Sequence, residues 1–203
     1  MQGVSGGEKR VGIAGLGNVL MGDDAFGPYV IQVLAASCVF PGNVALLDLG
    51  TPSLDLFGYL QDLDVAIIID CVGSRGRAGE LRLYNREEIL KNPIQQRTSP
   101  HEPGLKEALL IGEFDGSGPE QVLLVGVIPE STATGVGLTA PVAEAVPRAV
   151  EAVLGELEKL GVEAQSRAVP AKPAIWWEQT SSFSDAGILK GETAYGNNRV
   201  SHR

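Results

Sequence analysis

The stretch Val65-Ala66-Ile67-Ile68-Ile69, which is followed directly by Asp70, decides the fold. Every position in it is apolar, and most of its side chains are β-branched. Because the apolar residues do not alternate with polar ones, the pattern is typical of a parallel strand covered on both faces. The stretch therefore predicts an inner strand of an α/β protein.

Comparable segments lie on both sides of this strand, with helical patterns between them. Further strands are predicted at Val11–Gly15, Asn43–Leu47 and Val122–Val127, and an alternating edge strand at Leu81–Tyr84. Helices are predicted from near Asp23 to Leu34, at Ser53–Leu60, at Gly104–Ile111 and at Val142–Leu160. Pro147 is expected to mark a late start or a kink in the last helix. This alternation predicts a three-layer α/β fold, in which a twisted, mostly parallel sheet is flanked by helices on both faces.

The length of 203 residues fits one such domain. We expect an N-terminal extension over residues 1–10, the domain over residues 11–164, and a polar C-terminal tail over residues 165–203. The tail is poor in aliphatic residues, which predicts a segment that is mobile or draped over the domain. Trp176 and Trp177 are its exception, because a Trp pair can dock on a surface or on a partner.

Charge and composition exclude several classes of function. The formal net charge of -9 disfavours binding to nucleic acid, because an acidic chain repels phosphates. No apolar stretch reaches the roughly 20 residues that span a bilayer, and residues 1–10 lack the apolar region of a secretory signal. Cys38 and Cys71 form no CxxC pair and are expected to be buried and reduced. We therefore expect a cytoplasmic protein without a membrane partner.

The glycine turn Gly15–Asn18 is the first candidate for a functional site. It resembles the start of a dinucleotide-binding fingerprint, but Leu20 replaces the third glycine of that motif. Asp23 and Asp24 follow at the expected helix N-terminus, where they would repel a pyrophosphate. A cation is the better ligand for this end of the helix. One of the two acids is expected to be a helix cap, and Asp24 is the candidate ligand.

Asp70 and His101 are two further candidates. Asp70 lies at the carboxyl end of a strand, where α/β sheets bind ligands, although an Asp there can also start a turn. His101 lies in the polar loop Asn92–Pro103, and the other histidine, His202, is close to the end of the chain. With Asp24 these residues would form a site of two carboxylates and one imidazole. Such a site suits a divalent ion such as nickel or zinc and leaves positions open for water or substrate.

Several segments in a fixed order resemble the hydrogenase maturation endopeptidases. Gly15–Gly27 is similar to that family's opening signature, a G-x-G-N turn followed by two acids and a glycine. Ile68–Asp70 matches the strand that ends in an Asp, and Ser99–His101 matches the loop that contains a His. Val125–Ser131 and Gly137–Thr139 are also similar to family segments. The resemblance extends over residues 11–161.

The resemblance implies both a fold and a function. The fold is a twisted sheet flanked by helices. The function is the removal of a C-terminal peptide from the precursor of a nickel-iron hydrogenase large subunit after nickel has been inserted. The peptidase would hold no permanent metal, since nickel in the precursor is the feature that it recognises.

The resemblance also assigns roles to individual residues. The metal-contacting residues would be Asp24, Asp70 and His101, and either carboxylate could activate a water molecule. Residues expected to bind the substrate are Asn18, Gly50 and Thr51. Two other hypotheses stay open at this point: a non-catalytic module that binds nickel or the hydrogenase precursor, and a dinucleotide-binding oxidoreductase.

Overall fold

The structure is a computed structural model that describes residues 8–52, 55–91, 95–96 and 104–178. Its strands are β1 Val11–Leu16, β2 Cys38–Val39, β3 Val44–Gly50, β4 Val65–Gly73, β5 Leu81–Asn85, β6 Gln95–Gln96, β7 Gln121–Val127 and β8 Gln165–Ser166. Its helices are α1 Phe26–Ser37, α2 Leu56–Leu60, α3 Arg86–Lys91, α4 Leu105–Asp115, α5 Ala140–Ala143 and α6 Val146–Lys159. A single 3₁₀ turn, Gly22–Ala25, precedes α1.

The main sheet has the strand order β3-β1-β4-β7-β5. β1 pairs in parallel with β3 and β4, and β4 pairs in parallel with β7. β5 pairs with β7 in the antiparallel direction and lies at one edge, as the alternating pattern at Leu81–Tyr84 predicts. The predicted mostly parallel sheet is confirmed, and the carboxyl ends of β1, β3, β4 and β7 lie along one edge.

The two faces of the sheet are covered by different helices. Along β4, Ile67 and Ile69 pack against one cluster of buried residues, to which α1 and α6 contribute. Ala66 and Ile68 pack against a second cluster, to which α2, α3 and α4 contribute. Since alternate residues of β4 pack into clusters on opposite faces, this strand is buried on both faces, as its continuous apolar run predicts.

The chain enters α1 later than the sequence predicts. The predicted start near Asp23 is wrong for the α-helix, because residues 22–25 form the 3₁₀ turn and α1 begins at Phe26. α1 then crosses the sheet closely at Gly27, where a Cβ atom would collide with the carbonyl oxygens of Leu16 and Ile69. The delay places the two acids in a short turn beside the carboxyl end of β1.

Two other boundaries differ from the prediction. β4 continues past Asp70 to Gly73, because Val72 and Gly73 pair with the short antiparallel strand β6. The helix expected at Val142–Leu160 is broken into α5 and α6, and Pro147 lies in the first turn of α6, where a missing N–H costs little. Ser53 and, apart from β6, the predicted loop 92–103 lie outside the described residues.

The C-terminal segment is described as far as Glu178 and lies against the domain. β8 pairs with β2, the backbone N–H of Arg167 donates to the carbonyl of Ser37 at 2.8 Å, and that of Ala171 donates to Ala36 at 2.9 Å. The domain boundaries given above stay predictions. None of the helices in the described ranges combines the length and the apolar character that crossing a membrane requires.

Candidate active site

The loop after β1 places Asp24. Gly17 has a φ of 131°, and a Cβ atom there would collide with the carbonyl oxygen of Asp24, so only glycine fits. The backbone N–H of Asn18 donates to Oδ2 of Asp24 at 2.8 Å. The Oδ1 atom of Asn18 accepts a hydrogen bond from the N–H of Leu20 at 3.0 Å. Asn18, predicted to bind substrate, therefore shapes the loop that holds Asp24.

The second candidate carboxylate, Asp70, lies on β4 and is only 7% exposed. Its backbone is in parallel register with Gly126 of β7. Its Oδ1 atom accepts a hydrogen bond from the N–H of Cys71 at 2.7 Å. The pKa of Asp70 is raised from 3.8 to about 8, first by burial and second by the negative charge of Asp24, and the hydrogen bond from the Cys71 N–H opposes the shift. Asp70 therefore carries a proton at neutral pH when no cation is near.

The structure places Asp24 close enough to Asp70 for the negative charge of Asp24 to raise the pKa of Asp70. They come from different segments, one from the loop after β1 and one from the adjacent strand β4, and both lie at the carboxyl edge of the sheet. Two carboxylates at one place repel each other unless a proton or a cation lies between them. The pair is thus suited to general acid–base chemistry or to holding a divalent cation.

The third predicted ligand, His101, lies outside the described residues. Within the described ranges, no group of three or more His, Cys, Asp and Glu side chains could hold a metal ion. A site built on Asp24 and Asp70 therefore needs a further ligand from elsewhere, either from His101 or from the substrate.

Gly50 and Thr51, also predicted to bind substrate, lie where β3 ends beside the glycine turn. Gly50 has a φ of 55°, and its carbonyl accepts a hydrogen bond from the N–H of Gly17 at 2.8 Å. Thr51 is exposed. This places both residues at the same edge of the sheet as Asp24, and their contact with substrate stays a prediction.

Asp23 is the residue whose role the sequence reasoning missed. It is fully buried and caps no helix, so the expectation that one of the acids is a cap is wrong for Asp23. Its carboxylate accepts hydrogen bonds from the backbone N–H groups of Glu130 and Ser131, each at 2.9 Å, and of Thr139 at 2.7 Å. The Thr139 hydroxyl donates to it as well, at 2.9 Å. Asp23 therefore ties two distant loops to the turn that contains Asp24.

A sequence signal for this role was present. The segments Val125–Ser131 and Gly137–Thr139 are two of those that carry the family resemblance, and both donate to Asp23. Nearby, the Sγ atom of Cys71 donates to the carbonyl oxygen of Asp23 at 2.9 Å. Both cysteines are buried thiols, as predicted, and Cys71 belongs to the core on the α1 side of the sheet.

Comparisons with known proteins agree with this fold. A family model described as "HycI: Hydrogenase maturation protease" matches residues 28–156. Hydrogenase 2 maturation protease of Escherichia coli (strain K12) is 35% identical over 158 residues, which cover 78% of this chain and 96% of that protein. The solved structure of the hydrogenase maturating endopeptidase HybD from E. coli covers 78% of this chain and 98% of its own, with 35% identity and a TM-score of 0.71.

A more distant structure has the same fold. The crystal structure of a [NiFe] hydrogenase maturation protease, HycI from Thermococcus kodakarensis KOD1, covers 75% of this chain and 95% of its own, at 25% identity and a TM-score of 0.56. Together, the fold and the comparisons define an α/β peptidase, which is a hydrolase. The chain belongs to the hydrogenase maturation protease family, and its role is that of an endopeptidase in hydrogenase maturation.

Proposed function

We propose that this protein removes a C-terminal peptide from the precursor of a nickel-iron hydrogenase large subunit after nickel has been inserted. Asp24, Asp70 and His101 contact the nickel that the precursor contains, so the metal belongs to the substrate. Binding then depends on whether the precursor is loaded.

The observation that carries the proposal is the coupled pair of carboxylates at the carboxyl edge of the sheet. Burial and the neighbouring negative charge of Asp24 together raise the pKa of Asp70 to about 8. A divalent cation at this position replaces the proton and removes the repulsion between the two groups. Because the ligand oxygens must lose that proton, we expect the contact with nickel to strengthen as the pH rises toward 8.

Either carboxylate of the pair could accept a proton from the attacking water while the other acts as a ligand. Asn18 supports the role of Asp24, because its backbone N–H holds the carboxylate in place. We place the reaction in the cytoplasm, where the two cysteine thiols stay reduced.

Processing of a nickel-loaded precursor tests the proposal. Purified protein is mixed with its cognate large-subunit precursor, either loaded with nickel or free of it, and precursor mass is followed over time. We expect C-terminal shortening of the loaded form alone. Binding of the loaded precursor without any change in its mass would favour the non-catalytic module instead. Equal shortening of both forms would contradict the recognition of nickel while leaving the peptidase role intact.

A further inference from the structure

The end of the described chain is fixed to the domain by one buried Trp. Trp177 is only 1% exposed, and its ring lies edge-on to Tyr29 of α1, with 5.2 Å between the ring centroids. The Tyr29 hydroxyl donates a hydrogen bond to the carboxylate of Glu178. These contacts anchor the segment firmly, so the residue before Trp177 has a defined position on the surface.

That preceding residue, Trp176, is displayed on the surface. It is 61% exposed, and its ring lies edge-on to that of Trp177 at 5.7 Å. A Trp exposes a large apolar surface, and its rigid ring makes it one of the residues most enriched at binding hot spots. Because Trp177 is anchored in the core, the side chain of Trp176 is held at the surface.

Two further exposed apolar residues lie on loops that adjoin this segment. The carboxylate of Glu178 lies 3.9 Å from the position of a Cβ atom on Gly137, which follows Val136. The N–H of Gly135 donates to the carbonyl of Leu20 at 2.9 Å. Val136 is 48% exposed and Leu20 is 56% exposed. Single exposed apolar residues are common, whereas exposed apolar residues on adjoining loops are a candidate interaction surface. We call Leu20, Val136 and Trp176 the apolar rim.

Two residues of the apolar rim, Leu20 and Val136, lie on loops that are hydrogen-bonded to the candidate active site. Leu20 is hydrogen-bonded to the side chain of Asn18, whose own N–H holds Asp24. The loop of Val136 leads into Thr139, which donates to Asp23 beside Asp24. Leu20 and the loop of Val136 are therefore joined by hydrogen bonds to the turn that contains Asp23 and Asp24.

We propose that the apolar rim is a docking surface for the hydrogenase subunit that is the substrate, and that Trp176 is its main contact. The partner surface that fits it is an apolar patch on the folded subunit next to the peptide that is removed. This inference rests on the proposed function, because it places the substrate at Asp24 and Asp70. It adds a contact that sets affinity for the whole subunit and takes no part in the chemistry.

Steady-state processing by the full-length Trp176→Ala protein tests the proposal, with nickel-loaded precursor as substrate. We expect KM to rise at least about tenfold, as for loss of a hot-spot Trp, with kcat unchanged. Val136→Ser is a second variant that should raise KM. Phe114→Ala is the matched control, because Phe114 is 96% exposed and belongs to α4, which packs on the opposite face of the sheet. It should leave both constants unchanged.

The possible outcomes separate this proposal from the proposed function. An unchanged KM in Trp176→Ala, with an active parent protein, overturns the docking surface alone. A lower KM would mean that the chain's own C-terminal residues cover the rim, and a smaller molecular mass in solution would mean that a second copy does. Either result overturns the proposal. Absence of shortening by the parent protein overturns the proposed function and, with it, the docking surface.

Discussion

Asp70→Asn is expected to fold, to become more stable than the parent protein as the pH rises, and to lose the processing of nickel-loaded precursor. Loss of a positioned acid, base or ligand group lowers turnover by roughly 10²-fold or more. Amide oxygen is a weaker ligand for a divalent ion than carboxylate oxygen, and Asn has no proton to exchange for the metal. A single substitution should therefore separate stability from function at this position.

The pH dependence of the stability gain follows from the pKa of Asp70. The group titrates near its ordinary value of 3.8 when the chain is unfolded and near 8 when it is folded. Between these values the folded state holds one extra proton, so the free energy of unfolding of the parent protein falls as the pH rises from about 4 to about 8. Asn does not titrate. Relative to the parent, the variant should gain on the order of a few kcal/mol by pH 8 and nothing near pH 4. Urea denaturation at several pH values measures this difference.

Asp24→Asn is the matched control for the contribution of the Asp24 charge to the raised pKa of Asp70. It should also abolish processing, but it leaves Asp70 buried and removes only the repulsion between the two groups. The pKa of Asp70 should then fall without reaching its ordinary value, because burial is the larger cause of the shift. A stability difference between Asp70→Asn and the parent that does not vary with pH would contradict the raised pKa. Near-normal processing by either variant would contradict its role in the site.

Asp23→Ala is expected to cause the largest loss of stability among substitutions at the site. It removes the acceptor for the N–H groups of Glu130, Ser131 and Thr139 and for the Thr139 hydroxyl. Each donor that loses its partner on the fully buried Asp23 costs about 1 kcal/mol or more, so the free energy of unfolding should fall by about 3 kcal/mol. Processing should fall with it, because the turn that contains Asp24 loses its support. Thermal and urea denaturation measure the loss.

Two variants make this prediction specific to the acceptor role. Asp23→Asn should be almost as damaging as the Ala variant, since donors approach both carboxylate oxygens and an amide must turn its NH₂ toward one set of them. Asp62→Ala is the control, because that side chain is 83% exposed, and it should change stability by no more than about 0.5 kcal/mol. A melting temperature for Asp23→Ala equal to that of the parent would contradict the role assigned to Asp23.

The sheet could be predicted because its strands bury both faces. An apolar run such as Val65–Ile69 has few alternatives to an inner parallel strand, and the alternation at Leu81–Tyr84 distinguishes the half-covered edge. The strand end and the helix starts were harder to place. β4 continues because β6, a segment from elsewhere in the chain, pairs with it. α1 starts late because residues 22–25 form a 3₁₀ turn, in which Asp23 is hydrogen-bonded to residues from distant loops.

In the candidate site too, some features follow from the local sequence and others depend on residues that are distant in the chain. That Asp24 and Asp70 lie at the same edge of the sheet was predictable from their places after β1 and on β4. The buried role of Asp23 was not, because its donors lie more than 100 residues away in sequence. The pattern likewise cannot tell which of two adjacent Trp side chains is buried, since this depends on Tyr29 of α1. His101 rests on the family resemblance, and its position lies outside the described residues.

Anomalous diffraction from a crystal soaked with nickel tests most directly whether Asp24, Asp70 and His101 form one site that contacts nickel. We expect a single nickel ion in contact with all three side chains, at the carboxyl edge of the sheet between β1 and β4. Soaking at pH 8 favours the result, because Asp70 has then begun to lose its proton. A bound nickel that leaves either carboxylate untouched, or no ion at this place at high nickel concentration, would contradict it.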